Sequence, residues 1–98
     1  MKLVLSRRAV RRLTEIADYL AERNPAAAQD AQTTIRASLD LLTRFPHVGR
    51  LVGHEDKTPN TRVLAVPRRP YLIYYQVDDS AGRVTIIAIR HAAQRRLS

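Results

Sequence analysis

Phe45-Pro46-His47-Val48-Gly49-Arg50 is the stretch on which the fold turns, together with three apolar segments that follow it. These are Arg62-Val63-Leu64, Tyr71-Leu72-Ile73-Tyr74-Tyr75-Gln76-Val77 and Val84-Thr85-Ile86-Ile87-Ala88-Ile89-Arg90-His91. Pro46 ends a helix, because the residue before a proline is pushed out of the α region. The three segments beyond it are rich in β-branched and aromatic residues, the composition of strands. Pro67-Arg68-Arg69-Pro70 separates the first two and Asp78 to Gly82 the last two, both with turn chemistry. The reading is an antiparallel meander of three strands. The last two segments are nearly continuously apolar, which predicts that part of each is covered on both faces.

Upstream, Lys2-Leu3-Val4-Leu5 reads as a short strand, and Ser6 as the N-cap of a helix. Ala9, Val10, Leu13, Ile16, Ala17 and Leu20 recur at steps of three and four, giving that helix one apolar face. Asn24-Pro25 restarts the chain with a cap and then proline at the first helical position. Ala28, Ala31, Ile35, Leu39 and Leu42 form a second apolar stripe. So short a connection predicts an antiparallel helical hairpin, which must pack on something flat. The expected fold is α+β: an N-terminal strand, a helical hairpin, then the meander, with the helices on one face of one twisted sheet. Pro46 to Asn60 is long for a connection and holds two of the three glycines.

The chain has 98 residues, enough for one domain and one modest core. It has no cysteine, and therefore no disulfide or thiolate metal site. No apolar run is long enough to span a membrane and the first residues lack a signal-peptide pattern, so a soluble, cytoplasmic protein is expected. The net charge is +8, and residues 57–98 carry eight basic against two acidic side chains. Such a half suits an acidic partner, either nucleic acid or an acidic protein segment. The histidines are scattered, predicting no metal site, and the glycines are isolated, predicting no phosphate loop or nucleotide cofactor.

In the first helix, Arg7, Arg8, Arg11 and Arg12 precede Glu15, Asp18 and Glu22. The helix dipole favours the opposite order, and only an Arg11–Glu15 pair is expected to offset it. A surface so arranged can be reserved for a partner. Tyr71, Ile73, Tyr75 and Val77 share one strand face, while Leu72, Tyr74 and Gln76 share the other. Tyrosines so placed are read as core, with hydroxyls reaching a polar rim. His91 is placed on the face of Ile87 and Ile89, with Arg90 opposite.

The Phe-Pro-x-x-Gly-Arg helix exit, the Tyr-x-Ile-x-Tyr strand (Tyr71, Ile73, Tyr75) and the histidine closing the last strand resemble the RelE/ParE superfamily, in particular its ParE-like branch. That superfamily comprises toxins of type II toxin–antitoxin modules, and the resemblance runs from Lys2 to Arg96. It implies a toxin that traps DNA gyrase on its DNA and so arrests replication. It also implies a cognate ParD-like antitoxin whose disordered C-terminal segment wraps the hairpin and sheet edge in a hetero-oligomer. Antitoxin contacts are expected at Arg8, Arg11, Arg12 and Tyr19, and target contacts at Arg90, His91, Arg95 and Arg96. No cofactor is implied.

Two alternatives stand beside this reading. One is a RelE-like mRNA interferase, an endoribonuclease in which Arg50, Arg62 and Arg83 would stabilise the phosphorane and His91 act as general acid. Against it, no carboxylate is evidently placed as general base, and Arg50 suits a structural role, pairing with a carboxylate or capping loop carbonyls. The other alternative is a non-toxic nucleic-acid-binding remnant.

Overall fold

A computed structural model describes residues 1–52 and 60–93. The order is β1 (Lys2–Leu5), α1 (Arg7–Arg23), α2 (Pro25–Arg44), β2 (Arg50–Leu51), β3 (Thr61–Ala65), β4 (Tyr71–Asp78) and β5 (Arg83–His91). Asn24 alone joins the helices. Its N–H donates to the Leu20 carbonyl at the end of α1, and its side chain accepts from the Ala27 N–H at the start of α2. The side-chain cap of α2 is worth about 1 kcal/mol.

The strands form one five-stranded sheet in the order β1-β5-β4-β3-β2, and β1 lies parallel to β5. β1 therefore closes the sheet beside the last strand. The antiparallel meander is as expected; the two-residue edge strand β2 is an addition to it. Two residues of strand carry too little periodicity to be read from sequence.

Both helices cover one face of the sheet. Ala9 and Ile16 of α1 and Ile35 and Leu42 of α2 meet Tyr71, Ile73, Tyr75, Val84, Ile86 and Ile89 in the main core. On the opposite face Val52, Val63, Tyr74 and Ala88 form a smaller cluster, which Leu72 and Ile87 flank. The β4 alternation is thus as read. Val10 differs: it stands 50 % exposed, on the solvent side of α1. Ser38, absent from the apolar stripe of α2, is buried and donates its hydroxyl to the Thr34 carbonyl.

A β-bulge in β5 changes a second expectation. Tyr74 pairs with Ala88 but Tyr75 with Ile86, so Ile87 is the extra residue. Ile87 therefore packs on the face away from the helices, while His91 stays with Ile89 on the helix face. The Ser6 hydroxyl donates to the Ile87 carbonyl at 2.8 Å while accepting from the Ala9 N–H at 3.1 Å. One side chain both caps α1 and holds the bulge.

The helix exit owes its sequence to close packing. α2 ends at Arg44, and Gly49 then meets the sheet with its N–H donating to the Tyr75 hydroxyl at 2.8 Å. A Cβ on Gly49 would lie 2.8 Å from both the Tyr75 ring and the Val63 carbonyl oxygen, so glycine is required by space. Arg62, across the rung from Tyr75, donates to the carbonyls of His47 and Gly49 at 3.2 and 2.7 Å. Arg62 thus caps two carbonyls of this loop, because it shares the loop's face of the sheet.

Candidate functional site

Each basic residue of the sheet is located by its rung and its face. Arg62 lies opposite Tyr75, on the helix face, occupied by the loop carbonyls. Arg50 pairs with Val63, on the other face, at the edge of the sheet. Arg83 pairs with Asp78 at one end of β4, with an ion pair of 3.5 Å between their side chains. His91 pairs with Tyr71 at the opposite end. Seven residues of β4 separate those two rungs, about 23 Å at the usual strand rise. The Arg62 rung is about 13 Å from His91 on the same count. Arg50, Arg62, Arg83 and His91 therefore do not converge on one phosphate.

Of the residues expected to meet the target, Arg90 and His91 close β5 on opposite faces. Arg90 lies over the Tyr74 ring, 5.2 Å from its centroid, a cation–π arrangement. His91 meets Tyr71 edge-on, with ring centroids 5.9 Å apart. Its Nδ1 accepts from the Ala93 N–H at 3.1 Å, which assigns the hydrogen of the neutral ring to Nε2. Arg95 and Arg96 lie outside the described residues, as do His54 and Lys57.

On α1, Arg8, Arg12, Glu15 and Tyr19 fall on one stripe at steps of three and four, and Arg11 lies beside it. Arg8 and Arg11 face solvent. Glu15 pairs with Arg12 rather than with Arg11, at 3.8 Å, beyond hydrogen-bond range. Tyr19 is 55 % exposed, with the Arg23 guanidinium stacked 3.8 Å from its ring centroid. The far ends of this stripe and of β5 meet: Arg12, Glu15, Ile16, Tyr19, Tyr71 and His91 line one cleft of about 360 Å³. Glu15 is thus a carboxylate near His91 that sequence reasoning missed. The two are 76 positions apart, and no local signal links them.

The other flank of α1 is apolar. Leu13, Ile16 and Leu20 face Ala28, Ile35 and Leu39 of α2 across an open groove of about 260 Å³, rimmed by Gln32 and Arg36. Alanines at 17, 28 and 31 leave this groove open, because larger side chains would fill it. Ile16 belongs to both the groove and the cleft.

Among the described residues, Tyr75 and Asp78 have perturbed acidity. Burial pushes the Tyr75 phenol above its ordinary value, with the Gly49 N–H and the Arg62 charge acting in the other direction. The Asp78 carboxyl is held below its ordinary value chiefly by the Ser80 hydroxyl and the Ala81 N–H. Both are parts of turns and loop packing, away from His91. Among the described residues no cluster of histidine and carboxylate could hold a metal ion, and no helix is long and apolar enough to cross a membrane.

Comparison with known proteins gives these features a context. Residues 3–96 match the family model of the ParE toxin of the type II toxin–antitoxin system parDE. Toxin RelE2 of Caulobacter vibrioides is 39 % identical over 93 residues, covering 95 % of this chain and 97 % of that protein. Toxin RelE1 of the same organism is 34 % identical over 96 residues, covering 96 % of each. Among solved structures, a chain of the chromosomal ParDE system from P. aeruginosa superposes with a TM-score of 0.74 at 24 % identity, over 93 % of this chain and 95 % of that one. That likeness concerns the fold: two helices on one face of a mixed five-stranded sheet. With nearly its whole length matched, the chain belongs to the ParE toxin family of type II toxin–antitoxin systems.

Proposed function

We propose that this toxin acts as a gyrase poison of the ParE kind, by binding rather than by chemistry of its own, and that a cognate antitoxin neutralises it. The observation that carries the reading is the dispersal of Arg50, Arg62, Arg83 and His91 over both faces and both ends of the sheet. A ribonuclease built on those four would need them around one scissile phosphate. A binding surface makes no such demand. Arg90, His91, Arg95 and Arg96 are assigned to the target, because Arg90 stands at the end of β5 and the sequence after it adds two more arginines, charge that suits DNA held by gyrase.

The antitoxin is assigned to the helical hairpin. Its open apolar groove suits the apolar face of a partner helix. Arg8, Arg12 and Tyr19 on the neighbouring stripe, with Arg11 beside it, would meet the acidic side chains. The chain's charge of +8 would steer an acidic partner toward it, and a disordered segment would fold as it binds.

One observation favours a second reading, an mRNA interferase. Glu15 and His91 share a cleft with Arg12, and a carboxylate, an imidazole and a guanidinium are a base, an acid and a phosphate clamp. Induction of the toxin without its antitoxin separates the two. The gyrase reading expects filamentation and a DNA-damage response with bulk mRNA intact. Specific mRNA cuts that disappear in Glu15→Gln and in His91→Ala would replace it with the interferase.

A further inference from the structure

We propose that the cleft between α1 and the end of β5 is a carboxylate-binding subsite for one acidic side chain of the antitoxin. The inference rests on the reading that an antitoxin docks on the helical hairpin, and it adds where one of its acidic side chains is held. Arg12 stands at the cleft wall with its side chain 30 % exposed. Its only ion pair among the described residues, to Glu15, is too long to be a hydrogen bond. Its planar fork of donors therefore remains available to an oxygen pair from outside, the geometry in which arginine binds carboxylates best. The rings of Tyr19 and Tyr71 add apolar surface to the lining, and His91 lines the cleft with them.

The occupant is argued from what adjoins the cleft. Across α1 lies the apolar groove, and Ile16 forms part of both depressions. A peptide with an apolar face in the groove reaches the cleft by crossing one helix, about 10 Å. Such a peptide needs an acidic residue about one helix width from its apolar anchors. A nucleic acid strand could supply anions to Arg12 but nothing to fill the groove. The peptide is therefore favoured.

A consequence follows for neutralisation. His91 lines the same cleft and lies at the end of β5 assigned to the target. An antitoxin side chain seated there covers His91, so that antitoxin and target exclude one another at this point.

The test measures affinity of the purified antitoxin for four folded toxin variants, each checked by thermal melting. Arg12→Glu should weaken binding roughly 10- to 100-fold, the span of a charge-assisted hydrogen bond. Arg7→Glu makes the same charge change at an exposed position outside the cleft and outside the expected antitoxin contacts, and should weaken it only a few-fold. Glu15→Gln removes the carboxylate that repels the incoming one and should tighten binding. Reversal of one antitoxin acidic residue to arginine should restore binding to Arg12→Glu. Ala17→Arg, placed in the groove, tests the underlying docking. If Ala17→Arg abolishes binding while Arg12→Glu and Arg7→Glu behave alike, the subsite is overturned and the docking stands. If none of the four changes affinity, the docking reading itself fails. Loss of gyrase–DNA trapping in Arg12→Glu with unchanged antitoxin affinity would assign the cleft to nucleic acid and overturn the proposal.

Discussion

Gly49→Ala is the sharpest test of how the helix exit is built. The added methyl would come closest to the Tyr75 hydroxyl oxygen, and would lie 2.8 Å from Tyr75 Cε1 and 2.8 Å from the Val63 carbonyl oxygen. The carbonyl belongs to β3, paired on both sides, and cannot retreat. The Tyr75 ring is wholly buried, so it has no free space either. Overpacking of this kind costs about 1–3 kcal/mol. If the ring shifts, the buried Gly49 N–H also loses its acceptor, adding about 1–3 kcal/mol. Reduced unfolded-state entropy returns only about 0.4–1 kcal/mol. The expected loss is about 2–4 kcal/mol, seen as a fall in Tm of about 10–25 °C for a domain of this size.

Tyr75→Phe makes the reasoning refutable. Alone it should destabilise by about 1–3 kcal/mol, because it orphans the same N–H. In the double variant the nearest clash is gone and the N–H is already unpaired. Urea unfolding of all four proteins should therefore show a double variant at least about 1 kcal/mol more stable than the sum of the singles. Additivity within about 0.5 kcal/mol, or a Gly49→Ala loss below about 1 kcal/mol, would mean that Gly49 and Tyr75 do not share the contact described.

Four further outcomes are expected. Ile86→Ala, at a fully buried position, should cost about 2–5 kcal/mol, and Ile87→Ala, half-buried on the other face, clearly less; chemical denaturation of both checks the bulge. Arg68 holds φ at +60° in the β3–β4 turn, so Arg68→Val should destabilise by about 1–2 kcal/mol while Arg68→Gly is neutral or better, read from denaturation midpoints at constant slope. The raised Tyr75 pKa, caused chiefly by burial, favours the neutral phenol in the folded state, so its contribution to stability is complete below about pH 10 and is lost as pH rises through the folded value; Tyr75→Phe should show a flatter alkaline limb. Ser6→Asp keeps a cap acceptor for Ala9 but cannot donate to Ile87, so faster amide exchange confined to the bulge is expected, whereas Ser6→Ala should in addition lose about 1 kcal/mol of cap.

What the sequence made legible was what local rules decide. Ser6, Asn24-Pro25 and Pro46 mark helix ends through their own backbone chemistry, and each stands at an end in the structure. The alternation of Tyr71 to Val77 is set by the pleat and holds. The resemblance carried by the helix exit and the tyrosine strand leads to the same family as the comparisons. What stayed hidden depends on partners distant in the chain. Arg62 reaches the carbonyls of His47 and Gly49 because facing, and not proximity in sequence, decides which guanidinium meets them. β2 exists because β3 offers it an edge.

The bulge shows how one such distant interaction decides the candidate site. Val84 and Ile86 face the helices. With strict alternation from there, Ala88 and Arg90 would face them too, and His91 would point away. The extra residue at Ile87 reverses the parity, so that Ile89 and His91 turn toward α1 and Arg90 turns to Tyr74. A regular strand would therefore have offered the cleft an arginine beside Arg12 and left it without an imidazole. Regular alternation places His91 with both Ile87 and Ile89; the structure keeps it with Ile89 and turns Ile87 to the other face. The carbonyl freed at the bulge is taken by Ser6, 81 positions earlier in the chain. That hydroxyl also fixes the start of α1, the helix that supplies Arg12, Glu15 and Tyr19. Both walls of the cleft are thus tied to one serine: it sets where α1 begins and which way the end of β5 faces.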